Sequence, residues 1–104
     1  MAIVAKRLAD GLLPSSKATL YTVPVGTTTY LKGIILHNSS VSSVTATLYL
    51  FNSGNSRIIT SITMGAGETF YFNESVILGA GNLLEGAAGT SSVIHYWASG
   101  AEES

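Results

Sequence analysis

Two side chains in this sequence have the ordinary chemistry of a general base near neutral pH, His37 and His95. A nucleophilic triad would need a carboxylate to orient one of them beside a serine, yet Asp10 is the sole aspartate and neither histidine has sequence neighbours that complete such a set. His95 sits in Ser91-Ser-Val-Ile-His-Tyr-Trp97, alternating with apolar residues, which is the pattern of a sheet or interface histidine. His37 closes an apolar run beside Asn38 and reads as a turn hydrogen-bonding residue. Glu68, Glu74 and Glu85 could pair for glycoside hydrolysis, but each adjoins a glycine or asparagine, where a solvated carboxylate is the ordinary outcome. Glu102 and Glu103 read as part of the tail. No spacing of His, Asp and Glu resembles a metal-ligand set, and cysteine is absent, so disulfides and thiolate metal sites are excluded. Gly65/Gly67, Gly79/Gly81 and Gly86/Gly89 do not open helices after strands, so they signal turns rather than phosphate cradles. Asn38-Ser-Ser40 and Asn73-Glu-Ser75 fit the glycosylation acceptor pattern, which matters only in a secretory setting that nothing else here supports. The reading is of a chain without catalytic residues, cofactor or small-molecule substrate.

The elements that would position these groups are strands. Period-2 alternation with β-branched and aromatic residues runs through most of the chain. It predicts strands over 17–23, 28–38, 44–52, 57–64, 68–73, 75–79, 82–87 and 91–98. Within 28–38, Leu31, Gly33, Ile35 and His37 are expected on one face; within 57–64, Ile58, Thr60, Ile62 and Met64. Pro24-Val25-Gly26 makes a corner, and Asn52-Ser-Gly-Asn-Ser56 a tight turn with Gly54 at positive φ. Strands this short and regularly spaced predict an all-β fold: one antiparallel β-sandwich or jelly-roll-like barrel of about eight strands over 14–104. Residues 1–13 fit a helical stripe only loosely and alternate better as a strand or an extended N-terminal arm.

Composition speaks to partners. Hydrophobic residues make up 46% of the 104 residues but charged residues only 11%, against about 25% in ordinary domains. A surface this poor in charge is covered by Ser, Thr, Asn and Gly or hidden against a partner, so association is expected. The net charge of −1, with five thinly spread basic residues, offers no stripe for phosphates and argues against nucleic acid. No apolar run reaches the length of a membrane-spanning helix, and the N-terminus does not read as a secretory signal, so synthesis in the cytoplasm is expected. Leu48-Tyr-Leu-Phe51 and Thr69-Phe-Tyr-Phe72 are uncharged, β-prone segments that need paired or covered edges. Tyr21, Tyr30, Tyr49, Tyr71, Tyr96 and Trp97 could form a protein hot spot or a sugar platform where they reach the surface.

The segment TLYTVPVGTTTYLKGIILHNSSVSSVTATLYL resembles a recurrent pattern in small virion proteins of tailed bacteriophages: Leu-Tyr-Thr-Val-Pro-x-Gly-Thr, a long strand ending at Asn38, then a Ser/Thr/Val hairpin. MGAGETFYFNESVILGAGNLLEGAAGTSSVIHYWASGAEE is similar to its second half, so the resemblance spans roughly residues 12–103. It implies a capsid decoration, or cement, protein: a β-sandwich that binds the major capsid protein on the virion surface as a homo-oligomer, often a trimer. The alternative it leaves open is a tail- or head-fibre module that binds host glycan or another virion protein. It carries no catalytic residues. With the apolar N-terminal segment and the surface aromatics, the expected interface residues are Ile3, Val4, Lys6, Arg7, Leu8, Leu12, Leu13, Tyr30, Tyr49, Tyr71, His95 and Trp97.

Overall fold

A computed structural model describes residues 3–104, which form an antiparallel β-sandwich. Its strands are β1 (Ile3–Leu12), β2 (Ala18–Thr22), β3 (Thr28–Asn38), β4 (Val44–Asn52), β5 (Asn55–Met64), β6 (Thr69–Phe72), β7 (Val76–Leu78), β8 (Leu83–Ala88) and β9 (Ile94–Glu103). One sheet has five strands in the order β1-β9-β3-β6, with β7 also pairing β3; the other runs β2-β8-β4-β5. The N-terminal segment is therefore a strand: β1 lies along β9 of its own chain rather than reaching out as an arm. Glu102 and Glu103 belong to β9 and not to a tail.

The alternation seen in the sequence becomes two apolar inner faces. Leu13, Leu31, Ile34, Leu36, Leu48, Met64, Leu84 and Ile94 are fully buried between the sheets, with Val44, Ala46, Ala88 and Ala98 filling the gaps. Removing a side chain such as Leu48 from a core this small would cost roughly 2–5 kcal/mol. The turns follow their chemistry. Pro24-Val25-Gly26-Thr27 closes with a hydrogen bond of 3.2 Å from the Thr27 amide to the Pro24 carbonyl, with Gly26 at φ 75°. At the β4–β5 hairpin both Ser53 and Gly54 take positive φ, the conformation that suits a two-residue connection.

Four strands depart from strict alternation because each carries one extra residue: Leu8 in β1, Leu20 in β2, Lys32 in β3 and Ile59 in β5. In β3, Leu31 pairs with Gly100 and Gly33 with Ser99, so Lys32 bulges between them. Thr29 and Leu31 point inward before the bulge, and Ile34, Leu36 and Asn38 after it. Leu31 and Ile35 thus lie on opposite faces, not on one. In β5 the extra residue is Ile59, and Ile58, expected on one face with Met64, is turned out and 63% exposed while Met64 is buried.

Asn38 ties one end of the sandwich together. It is fully buried, its Nδ2 donates to the carbonyls of Ser42 (2.9 Å), Met64 (3.0 Å) and Gly65 (3.1 Å), and its Oδ1 accepts from the Ser40 amide at 2.9 Å. With both amide hydrogens committed inside, this asparagine is closed to glycosylation in the folded protein.

Candidate functional site

The two outer faces of the sandwich differ in chemistry. On the four-stranded sheet the outward residues include hydroxyls that pair across strands, Thr45 with Thr63 at 2.9 Å and Thr47 with Ser61 at 3.2 Å, with the exposed Ile58 opposite Tyr49. Tyr49 lies on this face with the Lys17 ammonium 5.1 Å from its ring centre. Glu85, beside it, is buried and accepts from the Ser56 hydroxyl at 2.7 Å.

The five-stranded sheet presents an apolar, aromatic surface instead. Across β1, β9, β3 and β6, Asp10, Trp97, Ile35 and Tyr71 stand in one row, and Leu12, His95, His37 and Thr69 in the next. Trp97 is 45% exposed, Ile35 41% and Tyr71 60%, so the rows form an open surface rather than a covered core. The Arg7 guanidinium sits 4.6 Å from the centre of the Trp97 ring and its Nε is 3.5 Å from the Asp10 carboxylate. Such stacking fixes the indole while keeping the cation hydrated at its edge. The His37 Nδ1 is 2.9 Å from the Thr69 hydroxyl. A shallow cleft of 440 Å³ lies among these rows, lined by Asp10, Leu12, Ile35, His37, His95 and Trp97.

At the far end of the same sheet a polar cluster joins the two layers. The Tyr21 hydroxyl donates to Glu102 and accepts from the Thr29 hydroxyl at 2.8 Å, while Lys6 reaches the other Glu102 oxygen at 3.3 Å. Burial first, and the bond to Glu102 second, push the Tyr21 hydroxyl up to about 12. The Tyr21 hydrogen bond, assisted by Lys6, holds the Glu102 carboxyl below its ordinary range against the opposing effect of desolvation. On the outer side the Tyr30 hydroxyl donates to Glu103, which raises its own pKa. Among the described residues, no group of three or more His, Asp and Glu is arranged to hold a metal ion.

The expected interface residues scatter. Arg7, Leu12, Tyr71, His95 and Trp97 share the apolar outer face. Ile3 and Val4 are exposed at the start of β1, and Lys6 and Tyr30 are engaged with the two glutamates. Leu8 turns inward against the core, Leu13 is fully buried within it, and Tyr49 lies on the opposite sheet. Ile35 is expected on one face with Leu31, and His37 at a turn; both belong to the outer surface, while Leu31 is buried. The bulge at Lys32 is the reason, and no residue in the sequence marks it except the adjacent Gly33.

No protein-family model matches the chain, and no curated protein matches it. Among solved structures it is similar to a chain in the structure of infectious bursal disease virus, Gt strain, at 12% sequence identity and a TM-score of 0.36. The match covers 96% of this chain and 31% of that one, so this chain spans about a third of its length.

Proposed function

We propose that the chain is a non-catalytic structural protein of a virion. It binds the outer surface of a phage capsid as a homo-oligomer, in the manner of a cement protein, and stabilises the shell. The observation that carries this reading is the clustering of Trp97, Ile35, Tyr71 and Leu12 in the open on one outer face. The other face pairs hydroxyls across strands and, among the described residues of its strands, exposes Ile58 alone of the large hydrophobic side chains. An exposed surface with that composition is the usual mark of a protein contact. The partner is the major capsid protein, and each seated copy stabilises the assembled state by mass action. The fibre-module alternative, in its glycan-binding form, needs an open aromatic ring; Arg7 covers one face of Trp97, which leaves Tyr71 as the open ring of this surface. The test is the heat resistance of virions with and without the protein. Loss of resistance in its absence is expected; unchanged resistance overturns the reading.

A further inference from the structure

We infer that β1 is the docking edge for a second copy of this chain, paired antiparallel so that Arg7 of each copy faces Asp10 of the other. The inference concerns the free edge rather than the apolar outer face, and it holds whether or not the chain decorates a capsid.

β1 closes the five-stranded sheet on one side, with β9 along its inner edge and no strand along its outer one among the described residues. An unpaired ten-residue edge is a template for another strand. The remaining sheet edges are less suited. β6, β7 and β2 have four, three and five residues. β5 has ten, but Arg57 is its only charged residue, so a self-pairing there has no carboxylate to meet it.

Charge and face together select the register on β1. Pairing Arg7 with the copy's Asp10 sets Ala5 against Leu12, Lys6 against Gly11 and Leu8 against Ala9, with a two-fold axis between Leu8 and Ala9. In a regular strand Arg7 and Asp10, three residues apart, would point to opposite faces. Here Leu8 is an extra residue, since Arg7 pairs with Ser99 and Ala9 with Ala98. The bulge turns Asp10 to the same face as Arg7, which the 3.5 Å approach of the two side chains within one chain confirms. Val4, Lys6, Leu8, Ala9 and Gly11 then fall on the inner side, and Ala5, Arg7, Asp10 and Leu12 on the outer. Every opposed pair in this register therefore matches inner with inner and outer with outer. The resulting pair would carry one continuous sheet through both copies, with two Arg7–Asp10 contacts flanked by both Trp97 side chains.

The experiment is sedimentation of the purified full chain, without capsids, so that its outcome is separate from that of the capsid-binding reading. A dimeric mass is expected, and a mass shifted toward monomer for Arg7→Asp and for Asp10→Arg, each of which sets like charges opposite. The double swap R7D/D10R should restore the dimer. Circular dichroism of each variant establishes that the fold is kept, as expected for two exposed side chains. A wild-type monomer or trimer, or a double swap that stays monomeric while folded, overturns the pairing. An independent arm uses Ala5→Cys/Leu12→Cys in this cysteine-free chain. The two positions lie about 23 Å apart along one strand, so a disulfide between them must join two chains. Oxidation to a covalent dimer is expected; a product that remains single-chain overturns the register.

Discussion

The Tyr21 hydroxyl, on the four-stranded sheet, donates a hydrogen bond to the Glu102 carboxylate on the five-stranded sheet, so a polar contact links the two layers of an otherwise apolar sandwich. Stability should respond to pH from both partners. A phenol raised from 10.0 to about 12 by folding contributes stability that is whole below pH 10 and is lost as pH rises toward 12. A carboxyl lowered from 4.5 contributes above that pH and is lost as pH falls through its folded value. Tyr21→Phe should flatten both limbs of the stability profile and cost about 1–2 kcal/mol at neutral pH. Urea midpoints measured across the pH range check this, and a profile identical to wild type would refute it.

Asn38→Ala should destabilise by roughly 2–4 kcal/mol, because several backbone groups lose their partner inside a closed site. Asn38→Asp should fare no better, since it replaces a donor to the Ser42, Met64 and Gly65 carbonyls with an acceptor. Chemical denaturation of the two variants measures both effects.

Two glycines should separate in their tolerance. A Cβ on Gly100 would collide with the Tyr30 carbonyl group, where the β3 backbone leans in beside its bulge, and backbone cannot give way cheaply. Gly100→Ala should cost about 3 kcal/mol or more. A Cβ on Gly86 meets the methyl ends of Leu20 at 2.9 Å and Leu13 at 3.0 Å, which can rotate aside. Gly86→Ala should therefore lower the thermal midpoint distinctly less than Gly100→Ala.

Trp97→Ser combined with Ile35→Ser should destabilise by roughly 2–3 kcal/mol yet leave the protein folded, both side chains being only partly buried. Co-sedimentation with capsids lacking the protein should fall sharply for this variant. Tyr49→Ser, on the hydroxyl-rich sheet, should bind as wild type does.

Much of the fold was legible because alternation, turn glycines and Pro24 are local signals. Strands β3, β4 and β6 and the turn at Gly54 follow from them directly. The bulges at Leu8, Lys32 and Ile59 were not legible, since a bulge is set by the pairing of two distant strands and leaves no fixed residue behind. That single-residue slip is why Ile35 parts from Leu31 and Ile58 from Met64, the first of each pair facing outward and the second buried. It is also why only part of the candidate surface could be read: Trp97, His95 and Tyr71 were visible as aromatic or polar residues in strands, but Ile35 and His37 join them through register alone. Leu13 looked like part of an apolar arm, and only the packing of β1 against β9 shows that the chain turns it into the core.

In the proposed function the apolar outer face of the five-stranded sheet seats on a capsid shell. A reconstruction of the virion at side-chain detail tests it most directly. Many copies over the shell are expected, each with Trp97 and Ile35 against the major capsid protein and the Thr45–Thr63 face toward solvent. A few copies confined to the tail or a fibre, or copies bound to the shell with Trp97 turned to solvent, would contradict it.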